Sequence, residues 1–258
     1  MSLYVYAITR DAITPDCEAV DQSRRFDVAG HDGLFAVYTP VADEEFSQES
    51  VDRRAGDLEW LGAIGYRHQN VASELMKSTA IIPLRAFTLF SSAEALDRYL
   101  HDNRELLTKT LERLGGKREW TLRVEFDAER FSDALTTRVD ALRDLAQQIE
   151  TANPGRAFLL RKKLDEEKKR ASRDAEQQVV AEIERAVLDK FKCETVAESR
   201  LDRDGAFPQI NVLLERDEES TLQELLDGLA ARYDKEGVTL ALTGPWPPYT
   251  FANAAGND

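Results

Sequence analysis

Glu119-Trp-Thr-Leu-Arg-Val-Glu-Phe126 alternates polar and apolar side chains without a break. Trp120, Leu122, Val124 and Phe126 fall on one side of an extended chain and the polar residues on the other. That is the pattern of an antiparallel strand with one face in a core. Upstream, Gly115-Gly116-Lys117 ends a helical pattern and makes the best domain boundary. Downstream, a helix is expected from about Ala128 to Ile149, stopped by Asn153-Pro-Gly155, and a longer one from Gly155 to Phe191. Strands Thr195 to Leu201 and Pro208 to Leu214 then flank Asp202-Arg-Asp-Gly205, whose Asp-Gly step signals a hairpin. Helix Glu218 to Tyr233 and strand Val238 to Leu242 follow. The order β, long helical insert, β, β, α, β is that of a split βαβ (ferredoxin-like) sheet with an enlarged first crossover.

Along the longest helix, Leu160, Leu164, Ala171, Ala175, Val179, Ile183, Val187 and Phe191 step by fours and sevens, a narrow apolar stripe on an otherwise charged rod. In Arg161 to Arg170 the spacing predicts four ion pairs: Lys162 with Glu166, Lys163 with Glu167, Asp165 with Lys169 and Glu166 with Arg170. Each adds only about 0.2–0.5 kcal/mol, so this run reads as a solvated face rather than a nucleic-acid patch.

The first half reads as a second α+β domain. Leu3 to Ile8 is apolar at nearly every position, as in a strand buried on both faces. Asp11 to Asp32 is loop-like, Gly33 to Tyr38 is a strand, and the acidic stretch Ala42 to Ser50 reads as exposed. A helical pattern covers Asp52 to Ser78, and Ile81 to Phe87 reads as a strand whose Pro83 implies an edge or a bulge. Ser91 or Ser92 caps a helix running to Gly115. The expected fold is α+β with two domains, residues 1–116 and 117–258, each a variation on the ferredoxin-like sheet, the second carrying helix 155–191 and a tail at 243–258.

Composition narrows the function. The 258 residues carry 48 acidic against 34 basic side chains, a formal charge of -14. A field of that sign repels phosphate backbones and anionic lipid, so nucleic acid and membrane are not expected partners. It suits solubility and also a salt-rich cytoplasm. Met1 to Arg10 lacks the basic and apolar segments of a signal peptide, and no apolar run approaches the roughly 20 residues of a membrane span. Cys17 and Cys193 stand far apart and read as reduced thiols of a cytoplasmic chain.

Chemical motifs are missing. Gly116-Lys117 does not complete a phosphate loop, and neither a dinucleotide-binding glycine pattern nor a nucleophile elbow is present. His31, His68 and His101 have no neighbouring ligand at chelating spacing, so neither a metal nor a cofactor is expected. His68 reads as a structural residue on a helix face. The acidic runs at Asp43-Glu44-Glu45 and Asp217-Glu218-Glu219 lack the apolar pocket that raises a catalytic carboxyl. No catalytic residue is proposed and an enzyme is disfavoured.

Thr243-Gly-Pro-Trp-Pro-Pro-Tyr-Thr-Phe251 concentrates three prolines and three aromatics directly after the last strand. Gly244-Pro245 is expected to break that strand, and Pro247-Pro248 to favour a stiff extended path that lays Trp246, Tyr249 and Phe251 on the body of the domain. The tail either seals the sheet or offers an aromatic surface to a partner.

This segment resembles the GPWPPYSF signature of the gas vesicle protein F and L family (GvpF/GvpL). Three further pieces stand in matching order: Tyr4-Val-Tyr-Ala-Ile8; Ile81 to Phe90, similar to an LPxRFGTxF segment; and Gly155 to Glu167, similar to a GRAYLLRRK segment. One departure is that Arg85-Ala86-Phe87-Thr88 replaces Arg-Phe-Gly-Thr, losing the glycine. The resemblance leaves open whether the chain is an F or an L member. It implies a non-enzymatic accessory protein of gas vesicle formation, cytoplasmic or vesicle-associated. Its implied partners are the small, very hydrophobic major shell protein (GvpA) and other vesicle accessory proteins. Arg85, able to pair with a carboxylate, and Trp246 with Tyr249, as aromatic anchors, are the candidate partner contacts. Each also has a structural reading, Arg85 as a bridge between domains and Trp246 as core. The alternatives are a minor structural component of the vesicle wall and, from another class, a small-molecule-binding α+β domain.

Overall fold

In the computed structural model, which describes residues 1–198 and 207–252, contacts divide the chain into two units. One comprises residues 1–119 together with the chain from Pro245 onward, the other Trp120–Gly244. The sequence reading grouped the tail with the second domain. Its residues instead pack with the first, because Tyr249 and Phe251 find their apolar surroundings there.

The first unit is built on β1 (Ser2–Thr9), whose Tyr4 to Ile8 are wholly buried. Strands β2 (Asp27–His31) and β3 (Leu34–Val41) form a hairpin antiparallel to it. Its two-residue turn is Asp32-Gly33, with φ 45° and 83°. Two positive φ values give the backbone twist a tight hairpin needs, and Asp-Gly is the dipeptide that tolerates them. The sequence reading placed this strand in a loop although the signal was present. Helices α1 (Asp43–Phe46), α2 (Gln48–Arg53) and α3 (Leu58–Ser78) lead back to β4 (Ile81–Pro83) and β5 (Leu89–Phe90), both antiparallel to β1. The acidic segment expected to be exposed thus contains a helix that buries Phe46. The sheet order β2-β3-β1-β4 is consistent with the split βαβ arrangement, with irregular chain at residues 10–26 where its first crossover helix would stand.

The last helix expected in this unit is two helices, α4 (Ala93–Asp102) and α5 (Arg104–Leu114). Asn103 separates them, its side-chain amide donating at 2.9 Å to the same Tyr99 carbonyl that its backbone amide reaches at 3.1 Å, so one residue ends the helix with two donors. Ser92 caps α4 by accepting from the Ala95 amide at 3.2 Å.

The second unit contains most of β6 (Lys117–Phe126), and Trp120, Leu122 and Val124 are buried as the alternation requires. Asp127 caps α6 (Ala128–Arg138), accepting from the Glu129 and Arg130 amides at 3.1 and 3.0 Å. A break at Val139 starts α7 (Asp140–Thr151), where one helix was expected. Val139 adopts extended backbone, closes a β-branched run with Thr136 and Thr137, and packs on the core. Helix α8 (Pro154–Phe191) follows, capped by Asn153 and buried along Val179, Val180, Ile183 and Val187. The four expected i,i+4 ion pairs do not form among the described residues. Arg170 pairs with Glu167 three positions away, and Lys168 reaches Asp133 of α6 at 3.4 Å.

Strands β7 (Glu194–Glu198) and β8 (Gln209–Glu215), helix α9 (Glu219–Tyr233) and strand β9 (Val238–Trp246) complete the sheet in the order β7-β8-β6-β9. The Asp202 to Gly205 turn lies outside the described residues. Gly237 (φ 75°) approaches α6 so closely that a Cβ there would sit 2.6 Å from that of Arg130, a position only glycine fills. Strand β9 runs on through Gly244 and Pro245 to Trp246 instead of breaking, and α10 (Tyr249–Ala252) replaces the expected extended tail. The α+β class is as read; the differences are strand β2 and helix α1 in stretches read as loop, two helices that are each split in two, and the unit to which the tail belongs.

Candidate partner-binding site

Arg85 stands where β4 and β5 would have been one strand. Both neighbours of that gap still pair with β1, the Leu84 amide donating to the Tyr6 carbonyl at 2.9 Å and the Val5 amide to the Thr88 carbonyl at 3.0 Å. Residues 85–87 are therefore pushed out as a bulge, closed by the Thr88 amide and hydroxyl on the Arg85 carbonyl at 3.1 and 2.7 Å. Arg85 is exposed, and its guanidinium has no hydrogen-bond or ion-pair partner among the described residues.

A buried polar chain pins this bulge from inside. His68 of α3, 3% exposed, places Nε2 2.9 Å from the Leu84 carbonyl and Nδ1 3.0 Å from the Tyr4 hydroxyl. A carbonyl only accepts, so Nε2 carries the proton, Nδ1 accepts, and Tyr4 donates to it. The Tyr4 oxygen in turn accepts from the Phe87 amide at 3.0 Å. Every member is satisfied, and two sides of the Arg85 turn are held by a helix and a strand. Burial lowers the His68 pKa and raises that of Tyr4. The reading of His68 as structural agrees with this geometry.

The tail is fixed by a second device. Glu119, 5% exposed, accepts from the Thr250 amide at 2.9 Å and the Thr250 hydroxyl at 2.7 Å, and Arg113 donates to the Phe251 carbonyl at 2.6 Å. Pro247, Pro248 and Phe251 are buried. Tyr249 packs into the aromatic core of the first unit, its ring 6.3 Å from that of His68, with its hydroxyl buried and its pKa raised accordingly. Trp246 is 41% exposed.

His68 therefore has both the Arg85 turn and Tyr249 as neighbours, and Trp246 lies three residues before Tyr249 as a surface residue. Tyr249 is a support rather than a free anchor, since its ring is already occupied by the core. Sequence reasoning missed Glu119, which the alternating pattern assigned to the wet face of β6.

No group of three or more His, Cys, Asp or Glu side chains disposed to hold a metal is found among the described residues. No helix of the described residues is long and apolar enough to cross a membrane. A cleft of about 390 Å³ in the second unit has Phe131, Leu135 and Val179 among its lining residues. Its Glu182 accepts from Tyr233 at 2.6 Å and Arg232 at 3.2 Å, which ties that carboxylate into the wall. Glu176, whose carboxyl burial pushes up, does not line it.

The model of one family, gas vesicle synthesis protein GvpL/GvpF, matches residues 2–253. The chain belongs to that family. Gas vesicle protein L of a Streptomyces species is 30% identical, over 99% of this chain and 94% of its own. Gas vesicle protein L2 of Halobacterium salinarum is 32% identical over 72% of this chain and 69% of its own. The crystal structure of GvpF from Anabaena matches the fold with TM-score 0.69 at 16% identity, covering 98% of this chain and 96% of that one.

Phe87 stands where the segment this stretch resembles has glycine, and it has φ 66°, the left-handed region that glycine enters without strain. A non-glycine residue there costs about 1–2 kcal/mol. The ring returns part of that by packing on Trp60 at 5.5 Å and Tyr4 at 6.2 Å between centroids. Phe87→Gly and Phe87→Ala both lose the ring, but only alanine keeps the strain. Denaturant unfolding should find the glycine variant about 1 kcal/mol more stable than the alanine variant, the reverse of their order in a helix.

Proposed function

We propose that this protein is a non-enzymatic accessory factor of gas vesicle formation, acting in the cytoplasm and at the growing vesicle. In this reading it binds the hydrophobic major shell protein and assists its nucleation and assembly. The observation that carries the reading is Arg85, an unpartnered cation among the described residues, on a bulge held rigid by the Tyr4–His68 chain. A pre-ordered charged tip loses little entropy on docking and can pair bidentately with a carboxylate. Trp246 supplies apolar contact area, and Tyr249 holds the segment that follows it. An acidic protein that covers apolar shell subunits also keeps the complex dispersed.

The test is capture of purified shell protein by the wild type, Arg85→Ala and Trp246→Ala, with circular dichroism to show that each is folded. Each substitution is expected to weaken binding about tenfold or more, the scale of an interface hot spot. Undiminished capture by both folded variants would remove these residues from the interface, and no capture by wild type would remove the shell protein as partner. The alternative of a minor wall component is separated by washing isolated vesicles: a wall component stays, an assembly factor is released.

A further inference from the structure

His31 and His101 are 70 residues apart in sequence, yet their ring nitrogens Nε2 and Nδ1 lie 3.3 Å apart, with ring centroids separated by 5.3 Å and planes at 78°. Two backbone features produce the meeting. The Asp32-Gly33 turn fixes the end of β2, where His31 stands, and α4 packs against that edge strand with Asp97 and His101 one turn apart on one face. The pair lies at the surface, in a cleft also lined by Ala93, Glu94 and Arg98.

The hydrogen bonding sets the chemistry. His31 Nδ1 is 2.7 Å from Asp97 Oδ1, and an ionised carboxylate only accepts, so Nδ1 carries the proton. In the neutral imidazole Nε2 then presents its lone pair, and the group it faces is a second imidazole nitrogen. A carboxylate behind an imidazole is the outer-shell partner that orients metal-bound histidines and raises their basicity. The separation also fits: two bonds of about 2.0–2.1 Å meeting at the tetrahedral angle span roughly 3.3–3.4 Å. Asp97 and Glu94 supply two negative charges against the one positive charge of Arg98 in the same lining, while Arg104 is paired with Asp32 at 3.6 Å.

We propose that His31 Nε2 and His101 Nδ1 bind one borderline divalent transition-metal ion of the zinc, nickel or copper(II) class, with Asp97 as the positioning carboxylate. Two imidazoles select this class over magnesium and calcium, which take oxygen ligands. With two protein ligands the rest of the coordination shell is water. Bound metal joins the β2–β3 hairpin to α4, so it stabilises the folded first unit by an amount that grows with the logarithm of free metal concentration over Kd.

Calorimetric titration of the purified full chain with ZnCl2, and separately NiCl2, tests this alongside thermal melts. The wild type is expected to take up about one equivalent per chain and to melt at a higher temperature with Zn2+ present. His31→Gln and His101→Gln, checked by circular dichroism, are expected to lose both effects, and Asp97→Asn to bind about 10–100-fold more weakly. No uptake by wild type overturns the proposal. So does unchanged uptake by the folded His31→Gln and His101→Gln variants, which would assign the metal to other groups such as Cys17 or Cys193. A response to MgCl2 equal to that for ZnCl2 would overturn the imidazole assignment.

Discussion

Glu119→Ala is expected to lower the stability of the first unit by about 3–5 kcal/mol, because it removes a buried acceptor serving two donors of one residue. Each donor left unpaired away from water costs about 1–3 kcal/mol, and two are stranded together with the packing of a buried side chain. The Thr250 amide and hydroxyl both lose their partner, so the loss falls on α10 and the burial of Pro247, Pro248 and Phe251. Glu119→Gln keeps one acceptor oxygen, and its amide can donate to the Thr250 hydroxyl if that rotates, so its cost should be about 1–2 kcal/mol. Denaturant unfolding gives the totals, and hydrogen exchange at residues 249–252 gives the location. Protection at those amides that survives Glu119→Ala would show that the carboxylate does not hold the tail.

The helical and extended patterns carried much of the fold into view, because burial on one face leaves a period in the sequence. Trp120, Leu122 and Val124 of the alternating strand and the stripe from Val179 to Val187 on α8 are buried as read, with Phe126 half-buried against the same cluster. The misplacements occurred where a side chain, not a period, sets the backbone. Asn103 and Val139 each end a helix whose apolar spacing continues through them. Pro83 signalled a bulge correctly in kind, but hydrogen bonds from β1 to both Leu84 and Thr88 were needed to place it at residues 85–87. The Asp32-Gly33 hairpin has its signal in the sequence, but the strand before it, Asp27–His31, is too short and too polar to show an alternating pattern.

The site was legible only as motifs. Arg85 and the proline-rich tail stand out in the chain, but nothing local says that Glu119 takes up Thr250, 131 residues away, or that His68 pairs with Tyr4 at a separation of 64. Such partners have no fixed spacing, so they leave no period to read. Both contacts are polar groups inside a core, where the apolar surroundings dictate that a partner exists without saying which. Tyr249 illustrates the converse: an aromatic near a chain terminus reads equally as anchor or core, and its contacts with the first-unit cluster are what decide.

His68→Leu should cost about 2–5 kcal/mol at neutral pH, since it strands the Tyr4 hydroxyl and the Leu84 carbonyl in a buried cluster. The same histidine sets a pH dependence. Burial depresses its folded pKa below the ordinary 6.5, so the unfolded chain binds the proton more readily. Its contribution is complete above about 6.5 and declines as pH falls from there toward the lower folded value. The geometry gives the same sign: a protonated Nδ1 must donate, but the Tyr4 oxygen it meets already accepts from the Phe87 amide, so the Tyr4 hydroxyl loses its own acceptor. Unfolding measured between pH 8 and 5 should show wild-type stability falling more steeply with acid than that of His68→Leu, whose side chain takes no proton. Parallel curves would mean that His68 titrates normally and that the chain beneath Arg85 is weaker than its distances imply. A steeper wild-type curve would tie the order of the Arg85 turn to the charge on one buried ring.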